Sequence, residues 1–433
     1  MTTSYTKTRS PFDRLYTHRY QPWRFLYTTY QIGLTIFFRL PFWIVIGLFP
    51  WGRLHPQFTL KKALIIRITR TILKTVYKYV AHIGLLGAVV LRSAPSVCRT
   101  SKFGKPTPTF VEITPGPDVN GVWIKPHPDL VFGDIKHAQE VNRVPDVQIP
   151  GYWYDRDSVT PDNSARPVSG EKVVYYIHGG SFLSGSAHPS ATYSGIPKGL
   201  LLHCPTIKRV FALEYRLLRN GPPPIGAFPA MILDSLNGYL HLIGLGYAPE
   251  DIILVGDSAG GNLALSLCRY LVEYADDESL SGANLPRVPG ALILLSPWAD
   301  VGSSHNDSRS RIENRRYDYI VNTPLSSEYI SWALGRQMGA GVADINPWVS
   351  PISKHVNGVS FRGFPKTFVT AGDLEVLKDQ ITVLKEALER DIGEDNVRYY
   401  LAPLAVHDFI MLGWHEPERT DGFKKVAAWV ATL

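Results

Sequence analysis

Residues 252–261 read IILVGDSAGG, and this stretch decides the fold. The four apolar residues Ile252–Val255 show no polar alternation, as expected of a strand buried on both faces. They run straight into Gly256-Asp257-Ser258-Ala259-Gly260, with G-x-S-x-G spacing, and then into Ala259–Tyr274, whose apolar periodicity predicts a helix. A strand that turns into a helix through this spacing holds the serine hydroxyl at the carboxyl edge of a sheet, where open α/β folds bind ligands. The turn is so tight that its neighbours must be small, which accounts for Gly256 and Gly260. At a helix N-terminus Ser258 is surrounded by N–H groups that favour an oxyanion. The spacing alone occurs often by chance in Gly-rich turns. Strand and helix on either side make Ser258 a candidate nucleophile and Asp257 a structural member of the motif.

Working outward, apolar runs recur at Lys172–Ile177, Arg209–Glu214, Ala291–Leu295, Lys366–Thr370 and Val397–Leu401. Helical patterns follow several of them, notably Val376–Asp391. Unbroken apolar strands separated by helices predict a parallel sheet covered on both faces. At the end of the run Lys172–Ile177 stands His178-Gly179-Gly180-Ser181-Phe182. Its glycines let backbone pass close to a ligand and aim N–H groups inward. The expected oxyanion donors are the Gly179, Gly180 and Ala259 amides, with His178 holding the loop rather than acting as a base.

At these two motifs the sequence resembles the hormone-sensitive-lipase family of α/β-hydrolases, which includes arylacetamide deacetylases and fungal steryl-acetate esterases. The resemblance covers about residues 171–433. Glu214-Tyr215-Arg216-Leu217 is similar to the family's D-Y-R-L, with Glu in place of Asp. Phe228-Pro229-Ala230 with Asp234 resembles its F-P-x-x-x-x-D, and Ser296-Pro297-Trp298 its S-P-W. The family's Ala-Pro-Glu after D-Y-R-L is missing, and Leu218–Ile225 is a divergent Pro-rich loop.

Chain order in this fold is Ser, acid, His. His407, in Ala405-Val406-His407-Asp408-Phe409, resembles the family's base loop. His415, among Glu416, Glu418 and Arg419, reads as a solvated histidine. The acid is a choice between two. Aligning Val376-Leu377-Lys378-Asp379 with the family's acid motif puts Glu375 at the catalytic position, and glutamate is an accepted triad acid. Asp373 competes, two residues earlier and of the usual residue type. Either carboxylate also suits a loop that caps the following helix.

The chain has 433 residues, 45% hydrophobic and 19% charged, too long for a stapled mini-protein and too apolar for a disordered one. Its net charge of +7 hides an asymmetry. Residues 1–100 hold 15 Lys/Arg and a single acid, Asp13, whereas the remainder is mildly acidic. Phe25–Trp51 is an apolar, aromatic run broken by Arg39 and Pro41, long enough for a single span or for an in-plane hairpin kinked at the proline. A soluble cap is the third reading. In residues 60–92, Arg67, Arg70, Lys74 and Lys78 share one helical face. Together these imply a membrane partner for residues 23–92, at an intracellular membrane such as the endoplasmic reticulum, on a side that flanking charges do not decide. The expected division is a basic apolar arm at 1–100, a linker and entry to the hydrolase fold at 101–170, and an α/β-hydrolase catalytic domain at 171–433.

Cys98, Cys204 and Cys268 lie far apart, so neither a disulfide framework nor a zinc ribbon is suggested. With no H-E-x-x-H and no G-x-G-x-x-G after a strand, neither metal nor cofactor is expected. No nucleic-acid motif accompanies the basic arm. Asn306-Asp307-Ser308 is a lone glycosylation sequon, meaningful only in a lumenal body. What the resemblance implies is a serine carboxylic-ester hydrolase for lipophilic, short-acyl esters. The rivals are a small-ligand receptor on the same fold, as plant gibberellin receptors are, and an amidase or peptidase.

Overall fold

The computed structural model describes residues 22–77, 119–156, 167–168, 170–218, 226–275, 285–320 and 324–433. Its sheet has eight strands: β1 (Asn120–Ile124), β2 (Ile149–Asp155), β3 (Val173–Ile177), β4 (Arg209–Leu213), β5 (Ile252–Asp257), β6 (Ala291–Leu295), β7 (Lys366–Gly372) and β8 (Val397–Ala402). Their order is β1-β2-β4-β3-β5-β6-β7-β8. The β1–β2 and β2–β4 pairings are antiparallel, and the others are parallel. The expected parallel sheet is borne out, with every run quoted above lying on a strand.

Within its described residues the stretch 101–170 supplies both antiparallel strands and the helix Gly133–Asn142, so these residues are entry to the fold rather than linker. Its Gly- and Pro-containing strands escape a search for unbroken apolar runs, because β2 reads IPGYWYD.

Among the described residues the helices of eight residues or more are α1 (Trp23–Leu34), α2 (Leu40–Gly47), α3 (Leu60–Tyr77), α4 (Gly133–Asn142), α5 (Gly195–His203), α6 (Ala230–Gly244), α7 (Ala259–Tyr274), α8 (Pro324–Gly335), α9 (Lys378–Ile392) and α10 (Glu418–Val430). Alternate strand residues point to opposite faces. Tyr175, Phe211, Leu254 and Leu292 join α4, α6, α7, α8 and α9 in one core. Val174, Tyr176, Ile253 and Ile293 join α3, α5 and α10 in the other. This two-sided burial explains why the central strands carry no polar alternation.

Helices α1 and α2 run on through a π-helical segment, Thr35–Arg39, with no hairpin at Pro41. Proline cannot donate to the preceding turn, and the local shift to i→i+5 bonding, with the Leu40 amide donating to Thr35 O, accommodates the missing bond. Phe25–Gly47 is thus one helical stretch of 23 residues, long and apolar enough to cross a membrane and almost wholly unburied. Most of the exposed large apolar side chains among the described residues lie between Trp23 and Trp51. Arg39 is held on this helix by Gln31 Oε1 at 2.9 Å and Thr35 Oγ1 at 3.3 Å.

The basic face of α3 is also not as expected. Arg67 donates to Gly52 O and Arg70 to the Arg316 and Asp318 carbonyls, so both are turned to protein. Lys78 and the helix expected beyond Tyr77 lie outside the described residues, as do Cys98 and the Pro-rich loop 219–225.

Candidate active site

β5 ends at Asp257 and α7 begins at Ala259, leaving Ser258 alone at the turn with φ 50° and ψ −115°. Such a backbone costs a residue bearing a Cβ about 1–3 kcal/mol, and the surroundings must hold it. Here the Ser258 amide donates to Leu295 O at 2.9 Å, and its carbonyl accepts the Trp298 amide at 2.9 Å and the Asn262 amide at 3.2 Å. A side chain at Gly256 would strike the Gly260 carbonyl, and one at Gly260 the Ile177 carbonyl. Both glycines are therefore steric requirements of the turn.

His407 sits between β8 and α10, fully buried, with Nε2 2.9 Å from Ser258 Oγ. A second group reaches the same nitrogen: Asp408 Oδ2, at 3.1 Å. Sequence reading missed Asp408, because a residue next to the base has no spacing signature of its own. Burial alone would lower the His407 pKa, but Asp408 and then Glu375 lift it well above the ordinary histidine value. His415, expected in solvent, is buried: its Nε2 accepts the Val406 amide at 3.2 Å, and Nδ1 lies 3.1 Å from Glu418. It supports the loop that carries His407.

The two candidate acids separate cleanly. Glu375 has no exposed surface, and its Oε1 lies 3.9 Å from His407 Nδ1. Its other oxygen accepts Ser296 Oγ at 2.7 Å and the Gly372 amide at 2.9 Å, which aims the carboxylate. Asp373 is held elsewhere: its amide donates to Ala402 O, and its half-exposed carboxylate pairs with Lys378 Nζ at 3.2 Å.

Along the other wall runs His178–Phe182. Gly179 lies close against the elbow, where an added Cβ would come within 3.1 Å of Ser258 Cβ. Its amide, however, donates to Asp257 Oδ1 at 3.0 Å, an oxygen that also accepts Tyr176 Oη at 2.6 Å. The expectation of a Gly179 donor is therefore corrected, because a buried amide already bonded to a carboxylate has no proton left for an oxyanion. The Gly180, Ser181 and Ala259 amides make no hydrogen bond among the described residues. His178 bonds its own loop through Nδ1 to Gly179 O at 2.7 Å, and burial lowers its pKa to about 4, so it stays neutral.

The motif residues around this loop hold it in place. Tyr215 Oη donates to His178 O at 2.9 Å, and its ring stacks on the imidazole. Glu214 Oε2 accepts both Ser186 Oγ and the Ala187 amide at 2.7 Å. Arg216 and Asp234 form a buried ion pair at 2.8 Å. Among the described residues no group of three or more His, Cys, Asp or Glu is arranged to hold a metal ion.

Comparison with known proteins agrees with this fold. A family described as alpha/beta hydrolase fold matches residues 174–411. A triacylglycerol lipase of Mycobacterium tuberculosis is 29% identical over 259 residues, 60% of this chain and 46% of the lipase, so the alignment spans less than half of that protein. The gibberellin receptor GID1A of Arabidopsis thaliana is 26% identical over 287 residues, 64% of this chain and 77% of the receptor. Among solved structures, an esterase from the bacterial hormone-sensitive lipase family superposes with a TM-score of 0.54 at 22% identity, covering 85% of this chain and 96% of that one. The resemblance drawn from the motifs is borne out.

Proposed function

Because the chain belongs to the alpha/beta hydrolase fold family, we propose that it is a serine carboxylic-ester hydrolase, with Ser258, His407 and Glu375 as its triad. The observation that carries this is Ser258 at the strand–helix turn with His407 Nε2 at 2.9 Å. Ser258 Oγ attacks the ester carbonyl as His407 Nε2 takes its proton. Negative charge on the carbonyl oxygen meets the unengaged Gly180 and Ala259 amides. The C–O bond then breaks, His407 returns the proton to the leaving alkoxide, and water repeats the sequence on the acyl-enzyme. Glu375 holds the imidazole tautomer and stabilises the imidazolium. Its 3.9 Å separation from Nδ1 is an ion-pair distance, and such contacts shorten in the substrate complex.

The substrate class is lipophilic esters with short acyl groups, on the strength of the family resemblance and of the apolar arm. Phe25–Gly47 matches a ~30 Å hydrocarbon core at ~1.5 Å per residue, is exposed nearly all round, and has its one charge hydrogen-bonded along the helix to Gln31 and Thr35. This supports anchoring in a membrane, which we take to be an intracellular one. The receptor match favours a ligand-binding role as the second reading, and His407 beside Ser258 weighs against it.

A panel of acyl esters of increasing chain length, with matching amides, tests the reading in detergent and in liposomes. Ser258→Ala should bring hydrolysis to background, a loss on the order of 10⁶ in kcat, and a fluorophosphonate should label Ser258. Labelling at another serine, or hydrolysis unchanged in Ser258→Ala, overturns the assignment. Preference for long acyl chains overturns the substrate class.

A further inference from the structure

Helix α3 belongs by sequence to the N-terminal arm, yet it touches the loop that carries His407 and the segment Arg316–Asp318 that in turn holds the loop of Glu375. Near its start, Lys62 is buried, and its ammonium donates to Leu404 O at 2.9 Å and pairs with Glu418 Oε1 at 2.7 Å. The other Glu418 oxygen lies 3.1 Å from His415 Nδ1, whose Nε2 accepts the Val406 amide at 3.2 Å. Leu404 and Val406, both just ahead of His407, are therefore tethered to one charged array that originates on α3.

Two turns on, Arg70 Nε donates to Asp318 O at 3.1 Å and Nη2 to Arg316 O at 3.0 Å. The Asp318 carboxylate accepts the Val376 amide at 2.9 Å, next to Glu375. Asn314, two residues before Arg316, donates from its side chain to Glu375 O at 2.9 Å. The neighbouring Tyr319 ring lies 6.3 Å from the His407 ring.

Burying an ammonium costs several kcal/mol unless it is paired and hydrogen-bonded. The base loop also needs outside support, because Leu404 and Asp408, on either side of His407, both have left-handed φ, of 57° and 51°. From these contacts we infer that α3 braces the active centre, with Lys62 and Arg70 as positioning residues for His407 and Glu375. The inference rests on the triad proposed above. The arm is then part of the catalytic unit as well as its anchor. It is a stiff part: Arg53 bonds Gly47 O at 2.9 Å and Phe58 O at 3.0 Å, and Arg67 bonds Gly52 O at 2.9 Å, closing the joint between α2 and α3.

The test uses the full-length chain in detergent with p-nitrophenyl acetate, a water-soluble ester that needs no membrane delivery. Active sites are counted by fluorophosphonate titration. Lys62→Met should lower kcat per titrated site by about 10- to 100-fold, the scale of an ångström of misplacement, with KM within about twofold. Lys62→Arg should restore most of it, and Arg70→Gln should show the same kcat loss. If Lys62→Met does not fold, Arg70→Gln and its rescue by Arg70→Lys give the same reading. Unchanged kcat per titrated site in both variants overturns the brace, as does a loss that falls on KM alone. Ser258→Ala separates the two proposals. An active Ser258→Ala removes the triad, whereas an inactive Ser258→Ala beside fully active Lys62 and Arg70 variants removes only the brace.

Discussion

Asp408 Oδ2 lies 3.1 Å from His407 Nε2, the nitrogen that Ser258 Oγ approaches at 2.9 Å. A buried carboxylate therefore shares the proton acceptor of the reaction. It favours the imidazolium, which cannot act as a base, and with Glu375 it overcomes the lowering that burial would impose on His407. Hydrolysis should thus rise with pH through a midpoint above the ordinary ~6.5 of histidine. Asp408→Asn removes that charge, leaves Glu375 alone to oppose burial, and should move the acid limb of kcat/KM to lower pH. A pH–rate profile of the two proteins checks it, and an acid limb that stays in place contradicts it.

Glu375→Gln should lower kcat by about 10³–10⁴, the scale seen when a triad acid becomes an amide. Asp373→Asn should change it less than about threefold, because that carboxylate faces Lys378 and solvent. Steady-state kinetics on one soluble ester decide between them. If Asp373→Asn is the crippling change, the acid has been placed two residues too far along.

Arg216 lies at the centre of a buried, multiply hydrogen-bonded ion pair near the site. Its backbone amide and guanidinium both bond Asp234, and Nη1 reaches Pro145 O at 2.7 Å. Asp234→Ala leaves the guanidinium buried without its counter-charge, which typically costs about 3–5 kcal/mol. Urea denaturation should show a lower midpoint with little change in slope. Activity should fall as well, since Tyr215, the adjacent residue, holds the His178–Gly179 carbonyls. A midpoint within error of the parent protein would refute the assignment.

Full-length protein should stay in membranes through salt and carbonate and need detergent for release, because burial of apolar surface is not screened by ions. Deleting residues 1–55 should move it to the soluble fraction. Only weak, salt-sensitive binding should remain, since Lys62 and Arg70 already have partners on the body, whereas Arg67 loses its Gly52 partner with the deletion. Full-length protein found soluble at low salt would make the arm a cap rather than an anchor.

The strand–turn–helix around Ser258 was legible in the sequence because its causes are local. A tight turn excludes side chains at Gly256 and Gly260, and the apolar runs on either side differ in period. The central strands were legible for the same reason, their burial on both faces being written residue by residue. β1 and β2 were not, because strands interrupted by glycine or proline become strands only by pairing with a partner.

The site divides in the same way. Ser258 and His407 follow from motif and chain order, whereas the choice of Glu375 over Asp373 depends on Ser296 and Gly372 on one side and Lys378 on the other. Only tertiary contact engages the Gly179 amide with Asp257, buries His415 and sets Asp408 against the base. Only tertiary contact turns Arg67 and Arg70 of α3 to protein and brings Lys62 to a carbonyl 342 residues away. Spacing along the chain determines which groups a turn or a helix presents. Which of them hold a charge or a free proton depends on neighbours distant in sequence, and the folded structure alone supplies those.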